Sequence, residues 1–370
     1  MTRTIGLLVL TMVVWGSALA GDTAPRPTAA TTRDQPVAIR LRETHTVTFS
    51  WDDWFGWVNP ARCDGDGNVF FVPMHRADRS DAKKSAAAPA PPVPSEILRV
   101  SAEGKSTLIR PARAPVLAFA DEVTAVHTLR TAVDPGGTLF ALVWAARGNE
   151  DGRQSIVSFD ETGRYRSLVR VDVNEIVASE FEVFGSGEFL VWGQRPWGGP
   201  RVAVMPPAGG RLRDVAFVPG IESAKAAAQA KLPSHVARAG DGRIYFVPEG
   251  EESIHVVGPS GRSERAFRLA RVPPNWRLAD LEAAGPHLAA VYSEKQNDDR
   301  GIAWITVYDA RDSVRRAVYG PVAGMPVCYD RSGDEDHFTV LRDGKFLVRL
   351  SPQFQVASGT SIPSGMHRPH

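Results

Sequence analysis

The chain is 370 residues long, 43% hydrophobic and 23% charged, with 33 glycines and 28 prolines. That composition belongs to a globular protein rich in turns and excludes collagen-like, coiled-coil and wholly disordered architectures. Forty-three basic residues against 42 acidic ones leave a net charge of +1, which excludes a broad electrostatic footprint for nucleic acid.

The first twenty residues carry one charge, Arg3. Ile5 to Ala20 is apolar or small and closes on Ala18-Leu19-Ala20 before Gly21-Asp22. This is the pattern of a secretory signal cleaved after Ala20, and the apolar stretch is short for a bilayer span. An uncleaved anchor is the alternative. Residues 21–35 (GDTAPRPTAATTRDQ) are Pro/Thr/Ala-rich, as a flexible leader would be, and 358–370 have the same character of a flexible tail. No later segment is apolar enough to span a membrane. The expected product is a soluble, monomeric protein of the periplasm or medium, without membrane insertion after cleavage.

Six units follow, each with an apolar run, a Gly- or Asp-containing turn, a second apolar run, and a third ending in another turn. Ahead of the first lies Trp51-Asp52-Asp53-Trp54-Phe55-Gly56-Trp57, the densest aromatic stretch in the chain. Trp51, Asp53, Trp54 and Trp57, with Trp197 further on, are candidates for a ligand-stacking rim; a packing plug is the competing reading. The first unit reads ARCDGDGNVFFV and EILRVSAEGKSTLI, split by an insertion over residues 74–94 whose AKKSAAAPAPPVP reads as a loop. The second contains TAVDPGGTLFALVW and the third FEVFGSGEFLVW, then Ile221–Lys231 offers the one helical pattern. The fourth reads HVARAGDGRIYFV and SIHVVGPSGRSERAF, the fifth LEAAGPHLAAVY, and the sixth is compressed to VCYDRSGDEDHFTVLRDGKFLVRL.

Aligning the first turns places Gly67, Gly137, Gly187, Gly242, Pro286 and Asp336 in register at a mean spacing of about 54 residues, a propeller-blade period. Four short strands per unit cannot bury both faces alone, whereas six such sheets packed around an axis can. The predicted fold is therefore all-β: one six-bladed β-propeller of four-stranded antiparallel blades over residues 36–357. The sixth unit lacks an outer strand, which Val37–Arg42 (VAIRLR) or, as the alternative, Phe354–Ala357 would supply. The fourth unit, and CDGDGNVFFV in the first, resemble NHL repeats of six-bladed propellers. That resemblance implies a fold rather than an activity.

The two cysteines, Cys63 and Cys328, lie just before the first turns of units one and six, which are neighbours in a closed ring. A disulfide closing the ring and a pair of buried thiols are both open readings. Asp64-Gly65-Asp66-Gly67-Asn68 imitates the start of an EF-hand, but the twelfth position is His75 where a bidentate Glu is required, so a blade turn is favoured. No metal-binding, nucleotide-binding or serine-nucleophile motif occurs, and no metal or cofactor is expected. Arg130, Glu180 and His235, each seven residues before its register turn, are the channel candidates, with a structural hydrogen-bonded trio as the favoured reading. The function expected is a binding or scaffold module that engages a protein, peptide or carbohydrate ligand through loops at one end of the ring. A hydrolase or lyase with a polar or metal site in the channel is the alternative.

Overall fold

The computed structural model describes residues 38–50, 54–75, 96–111, 125–134, 136–146, 152–215, 232–269, 276–294 and 302–353. The signal segment, the leader, Trp51, Asp53, residues 76–94 of the insertion, the helical pattern at 221–231, Phe354–Ala357 and the tail lie outside these. Twenty-four strands form six four-stranded antiparallel sheets. Blade 1 is β2 (Trp54–Cys63), β3 (Val69–His75), β4 (Ile97–Val100) and β5 (Ser106–Ile109). Blade 2 is β6 (Ala125–Val133), β7 (Leu139–Ala146), β8 (Arg153–Phe159) and β9 (Tyr165–Val171). Blade 3 is β10 (Val177–Val183), β11 (Phe189–Gln194), β12 (Pro200–Met205) and β13 (Arg213–Asp214). Blade 4 is β14 (Pro233–Arg238), β15 (Ile244–Pro248), β16 (Ser253–Val257) and β17 (Ser263–Arg268). Blade 5 is β18 (Trp276–Ala284), β19 (His287–Glu294), β20 (Ile302–Asp309) and β21 (Val314–Ala323).

Blade 6 is assembled from both ends of the chain. β22 (Met325–Ser332), β23 (Glu335–Arg342) and β24 (Phe346–Pro352) are completed by β1 (Leu41–Thr48), which pairs antiparallel with β24 from Leu41 opposite Pro352 to Thr48 opposite Phe346. The N-terminal segment thus supplies the missing strand, but further along than Val37–Arg42: only Leu41 and Arg42 of that stretch belong to it. The register is set by burial. It turns Val47 into the core between blades 6 and 1, while Arg42 to Thr46 stay exposed.

The innermost strands β2, β6, β10, β14, β18 and β22 touch in succession, and β22 returns to β2. This closes the propeller around a channel. Every sheet is apolar on both faces because each is sandwiched between two others. In β7, Leu139, Ala141, Val143 and Ala145 face blade 1, whereas Leu142 faces blade 3. Six apolar clusters result, one in each seam, and the seam between blades 6 and 1 holds Val47, Phe49, Phe71, Leu98, Val327 and Leu347. At about 1.5–3 kcal/mol for each large side chain fully buried, these seams supply the driving force that one sheet alone lacks.

Polar contacts stitch the seams further. Gln154 of blade 2 imitates a strand partner, donating Nε2 to the Ala178 carbonyl at 2.6 Å and accepting the Ala178 amide at 2.8 Å. Asp336 accepts both the Tyr319 and Tyr329 hydroxyls, at 2.6 and 2.8 Å, bridging blades 5 and 6. Cys63 and Cys328 are joined in a disulfide across the seam of blades 1 and 6, their Cα atoms 5.8 Å apart. The outermost strands carry exposed arginines, among them Arg170, Arg268 and Arg315, which protects sheet edges against further pairing.

Candidate functional site

A recurrent irregularity positions the channel side chains. In β6, β10, β14, β18 and β22 the pairing register shifts by one residue, at 128/130, 178/180, 233/235, 278/280 and 326/328. Where the skipped residue is serine, its hydroxyl bonds the carbonyl opposite: Ser179 to Trp192 at 3.2 Å and Ser234 to Val247 at 3.0 Å. Such a bulge twists the strand and re-aims the residues after it. Those residues are Arg130, Glu180, His235, Asp280 and Cys328, followed two positions on by Ala132, Glu182, Ala237, Glu282 and Asp330.

Two of the three expected channel residues meet. Arg130 Nη2 lies 3.0 Å from Glu180 Oε1 across adjacent blades, both about 70% covered. His235 sits at the equivalent position of β14, where burial, with Arg277 of the next blade adding repulsion, pushes its imidazole down to about 4. It is therefore neutral at ordinary pH. The turn beginning at Asp64 is a blade turn: its Oδ1 accepts the amides of Asp66 and Asn68 at 3.0 and 2.9 Å. Among the described residues no group of three His, Cys, Asp or Glu could hold a metal ion.

The denser part of the cluster lies on positions not singled out from the sequence. Arg62 of β2 reaches past blade 2 to Glu182 of blade 3, Nη2 to Oε2 at 3.4 Å. At the equivalent position of the intervening blade stands Ala132, a short side chain buried in the seam of blades 2 and 3. Burial pulls the Arg62 guanidinium down, but Glu182, Glu282, Asp280 and Glu180 around it hold it above its ordinary value. Burial pushes the Glu182 carboxyl up despite its partner, so desolvation outweighs the pairing. Asp280, buried near Arg62, is pushed up to about 6. Glu282 is driven well upward by burial and by Asp280 beside it. Several polar atoms in this layer are buried without a hydrogen-bond partner, among them Glu282 Oε1, Arg62 Nε and Arg238 Nε. A proton-holding acid beside a carboxylate and a guanidinium is the material of acid–base chemistry. It is equally the material of a buried ionic plug.

The two ends of the ring differ. At the end carrying the first turns, a cavity of about 550 Å³ opens on Glu282, Arg238, Asp330 and Arg331, and the disulfide forms part of its wall. Here the turns of blades 3, 4 and 5 bond to one another, Gly185 N to Gly242 O at 2.9 Å and Gly240 N to Gly285 O at 3.2 Å. Antiparallel order places the connections between second and third strands, and those between blades, at the opposite end. Trp197 stands there on the β11–β12 hairpin, 93% exposed. Below it, on blade 3, lies a cleft of about 690 Å³ lined by Glu175, Arg195, Arg201, Arg211 and Asp214 among others. Trp54 and Trp57 are strand positions of β2, opposite His75 and Pro73. β3 continues through Met74 and His75, so the chain leaves the strand after the position at which the insertion was expected to begin. Trp192 is buried in the seam of blades 3 and 4.

No protein-family model matches the chain, and no curated protein matches it in sequence. Among solved structures it is similar to virginiamycin B lyase from Staphylococcus aureus, at 13% identity and a TM-score of 0.44 over 84% of this chain and 99% of that one. It is also similar to a gluconolactonase from Xanthomonas campestris, at 12% identity and a TM-score of 0.48 over 84% and 99%. A third is a calcium-binding regucalcin from Agrobacterium tumefaciens, at 11% identity and a TM-score of 0.45 over 87% and 98%. At such identities the likeness is one of fold, and the six-bladed assignment rests on the strand order of the chain itself.

Proposed function

We propose that the chain is a binding module, a rigid propeller that engages a protein, peptide or saccharide ligand at the end bearing its longer connections. Export, suggested by the N-terminal segment, would place that surface in the periplasm or medium. The observation that carries the reading is Trp197, 93% exposed on a short hairpin above a polar cleft. Tryptophan left almost wholly in water forgoes the burial that its large apolar surface would gain, and it contributes strongly where a ligand covers it. The test is a peptide and glycan array probed with wild type and Trp197→Ala. Signals lost in the variant at an unchanged melting temperature support the proposal. Identical patterns, an array without signal, or a large fall in melting temperature overturn it.

A second reading, a hydrolase or lyase acting in the channel, draws on one observation: Glu282, held toward its protonated form, lines a cavity beside Arg238 and close to Arg62 and Asp280. Such families contain both enzymes and binding proteins, so fold does not decide between them.

A further inference from the structure

We infer that the cleft on blade 3 takes an acidic saccharide, stacked on Trp197 and anchored through its carboxylate by the cleft arginines; this rests on the binding-module reading above. The backbone that carries the tryptophan is set before any ligand arrives. Its hairpin closes through Arg195 N to Gly199 O and Gly198 N to Arg195 O, both 2.9 Å, and Gly198 and Gly199 take φ values of 95° and 86°. A hairpin already closed by its own backbone bonds pays less ordering cost when a ligand stacks on its tryptophan.

The floor beneath it is equally fixed. Arg201, whose side chain is 9% exposed, donates Nε to Asp214 Oδ1 at 2.6 Å and Nη1 to the Glu175 carbonyl at 3.0 Å and Glu175 Oε2 at 3.1 Å. Arg195 Nη2 holds the other Asp214 oxygen at 3.3 Å. The result is one flat apolar face beside an array of oriented donors and acceptors. A pyranose matches this, since its C–H face stacks while its hydroxyl edge bonds. A peptide would want a second apolar pocket for a neighbouring side chain, and apart from Trp197 the lining offers only Pro196 and the buried Leu212.

Charge selects among saccharides. Four arginines, Arg195, Arg201, Arg211 and Arg213, line the cleft against two carboxylates, Glu175 and Asp214. Arg213 is held by Glu188 and the Pro259 carbonyl, whereas Arg211 has no charged partner among the described residues. A sugar carboxylate placed between Arg211 and Trp197 would offset the excess positive charge.

The experiment is titration calorimetry of the full mature chain with trigalacturonate, a mannuronate trimer and a hyaluronan tetrasaccharide, set against maltotriose and hexaglutamate. The expected result is saturable binding of at least one acidic saccharide, weakened about tenfold or more by Trp197→Ala and several-fold by Arg211→Gln. Added salt should weaken binding less in Arg211→Gln than in wild type. Equal binding of hexaglutamate, or preference for maltotriose, with dependence on Trp197 overturns the acidic-saccharide assignment and leaves the binding-module reading standing. Acidic-saccharide binding indifferent to Trp197, or no binding by any of the three, overturns the assignment as well. The parent reading falls instead to an array without Trp197-dependent signals or to a large fall in melting temperature of the variant. Trp197 is almost fully exposed, so its variant folds as the wild type does, and far-ultraviolet circular dichroism verifies this.

Discussion

Arg62 and the four carboxyls around it show how far burial can override pairing in a propeller channel. Asp280 is 5% exposed and Glu182 is 3% exposed, and burial pushes both carboxyls upward although a guanidinium is near. The consequence for stability has a definite sign. With a folded-state value of about 6 against an ordinary 3.8, Asp280 binds its proton more tightly in the folded chain. Its contribution is therefore fully present below the unfolded value and is lost as pH rises through about 6, at a cost of about 3 kcal/mol by linkage. His235, pushed down to about 4, works in the opposite direction: its contribution is lost as pH falls from 6.5 toward 4. The two partly cancel in wild type, so the informative quantity is a difference. Urea unfolding at pH 4 and pH 7.5 should show Asp280→Asn gaining on wild type as pH rises, by up to about 3 kcal/mol. His235 contributes equally to both proteins. A difference flat in pH would mean that Asp280 titrates normally. Catalysis by the cluster would require more, an ester or lactone turnover that the same substitution abolishes.

Among the elements, turns carry much of the register. Gly104 in the β4–β5 turn faces β1 so closely that an added Cβ would lie 2.6 Å from Val47 Cγ1, and one on Gly163 would lie 3.0 Å from Ile109 Cγ1 on the outer strand of the preceding blade. Arginines fix the same contacts: Arg99 bonds the Glu161 carbonyl, Arg213 that of Pro259 and Arg265 that of Arg311, each reaching from one blade to a turn of the next. At the channel rim, a Cβ on Gly242 would lie 2.6 Å from the Gly185 Cα, which is backbone and cannot move aside. Gly187 has nearly the same φ, 85° against 80°, with nothing within 4 Å of its added Cβ. The comparison isolates the rim contact. Gly187→Ala should cost about 1 kcal/mol for the left-handed backbone, and Gly242→Ala about 2–4 kcal/mol, both read by urea unfolding. Equal losses would show that the rim bond between Gly185 and Gly242 is slack. These turns made the blade count legible, since Gly67, Gly137, Gly187 and Gly242 all take positive φ at equivalent positions. The channel was less legible. Counting seven back from the turn works where turn lengths match, at Arg130, Glu180 and His235. It fails in blade 5, whose two-residue turn moves the count from Asp280 to Ala279, and in blade 6, where it lands on Tyr329 beside Cys328. The acid-x-acid pairs Glu180-Phe181-Glu182 and Asp280-Leu281-Glu282 carried the missing signal, because alternate residues of one inner strand face the same side.

For the whole molecule the weak point is the seam between blades 6 and 1, where the ring must close on itself. Two latches with different physics hold it. β1 completes blade 6 through its ladder to β24 and places Val47 in the seam core. The Cys63–Cys328 disulfide ties the inner strands β2 and β22 across 265 residues of sequence. In the chain-entropy picture a loop that long stabilises the fold by about 5 kcal/mol, largely by restricting the unfolded chain. Either latch alone prevents the two blades from separating, since opening the seam requires both the β1 ladder and the sulfur bridge to be broken. Local opening should therefore respond to their joint loss. Four proteins test this: a chain begun at Gly21, the same chain with Cys63→Ala/Cys328→Ala, a chain begun at Phe49, and the combination. Amide hydrogen exchange on β2 and β22 should follow global unfolding in the first three. In the fourth, the same strands should exchange by a lower-energy opening while β10 and β14, on the far side of the ring, remain protected. Fast seam exchange on losing the disulfide alone would show that the β1 ladder does not hold the ring. Uniform protection in the combination would show that the apolar seam closes it unaided.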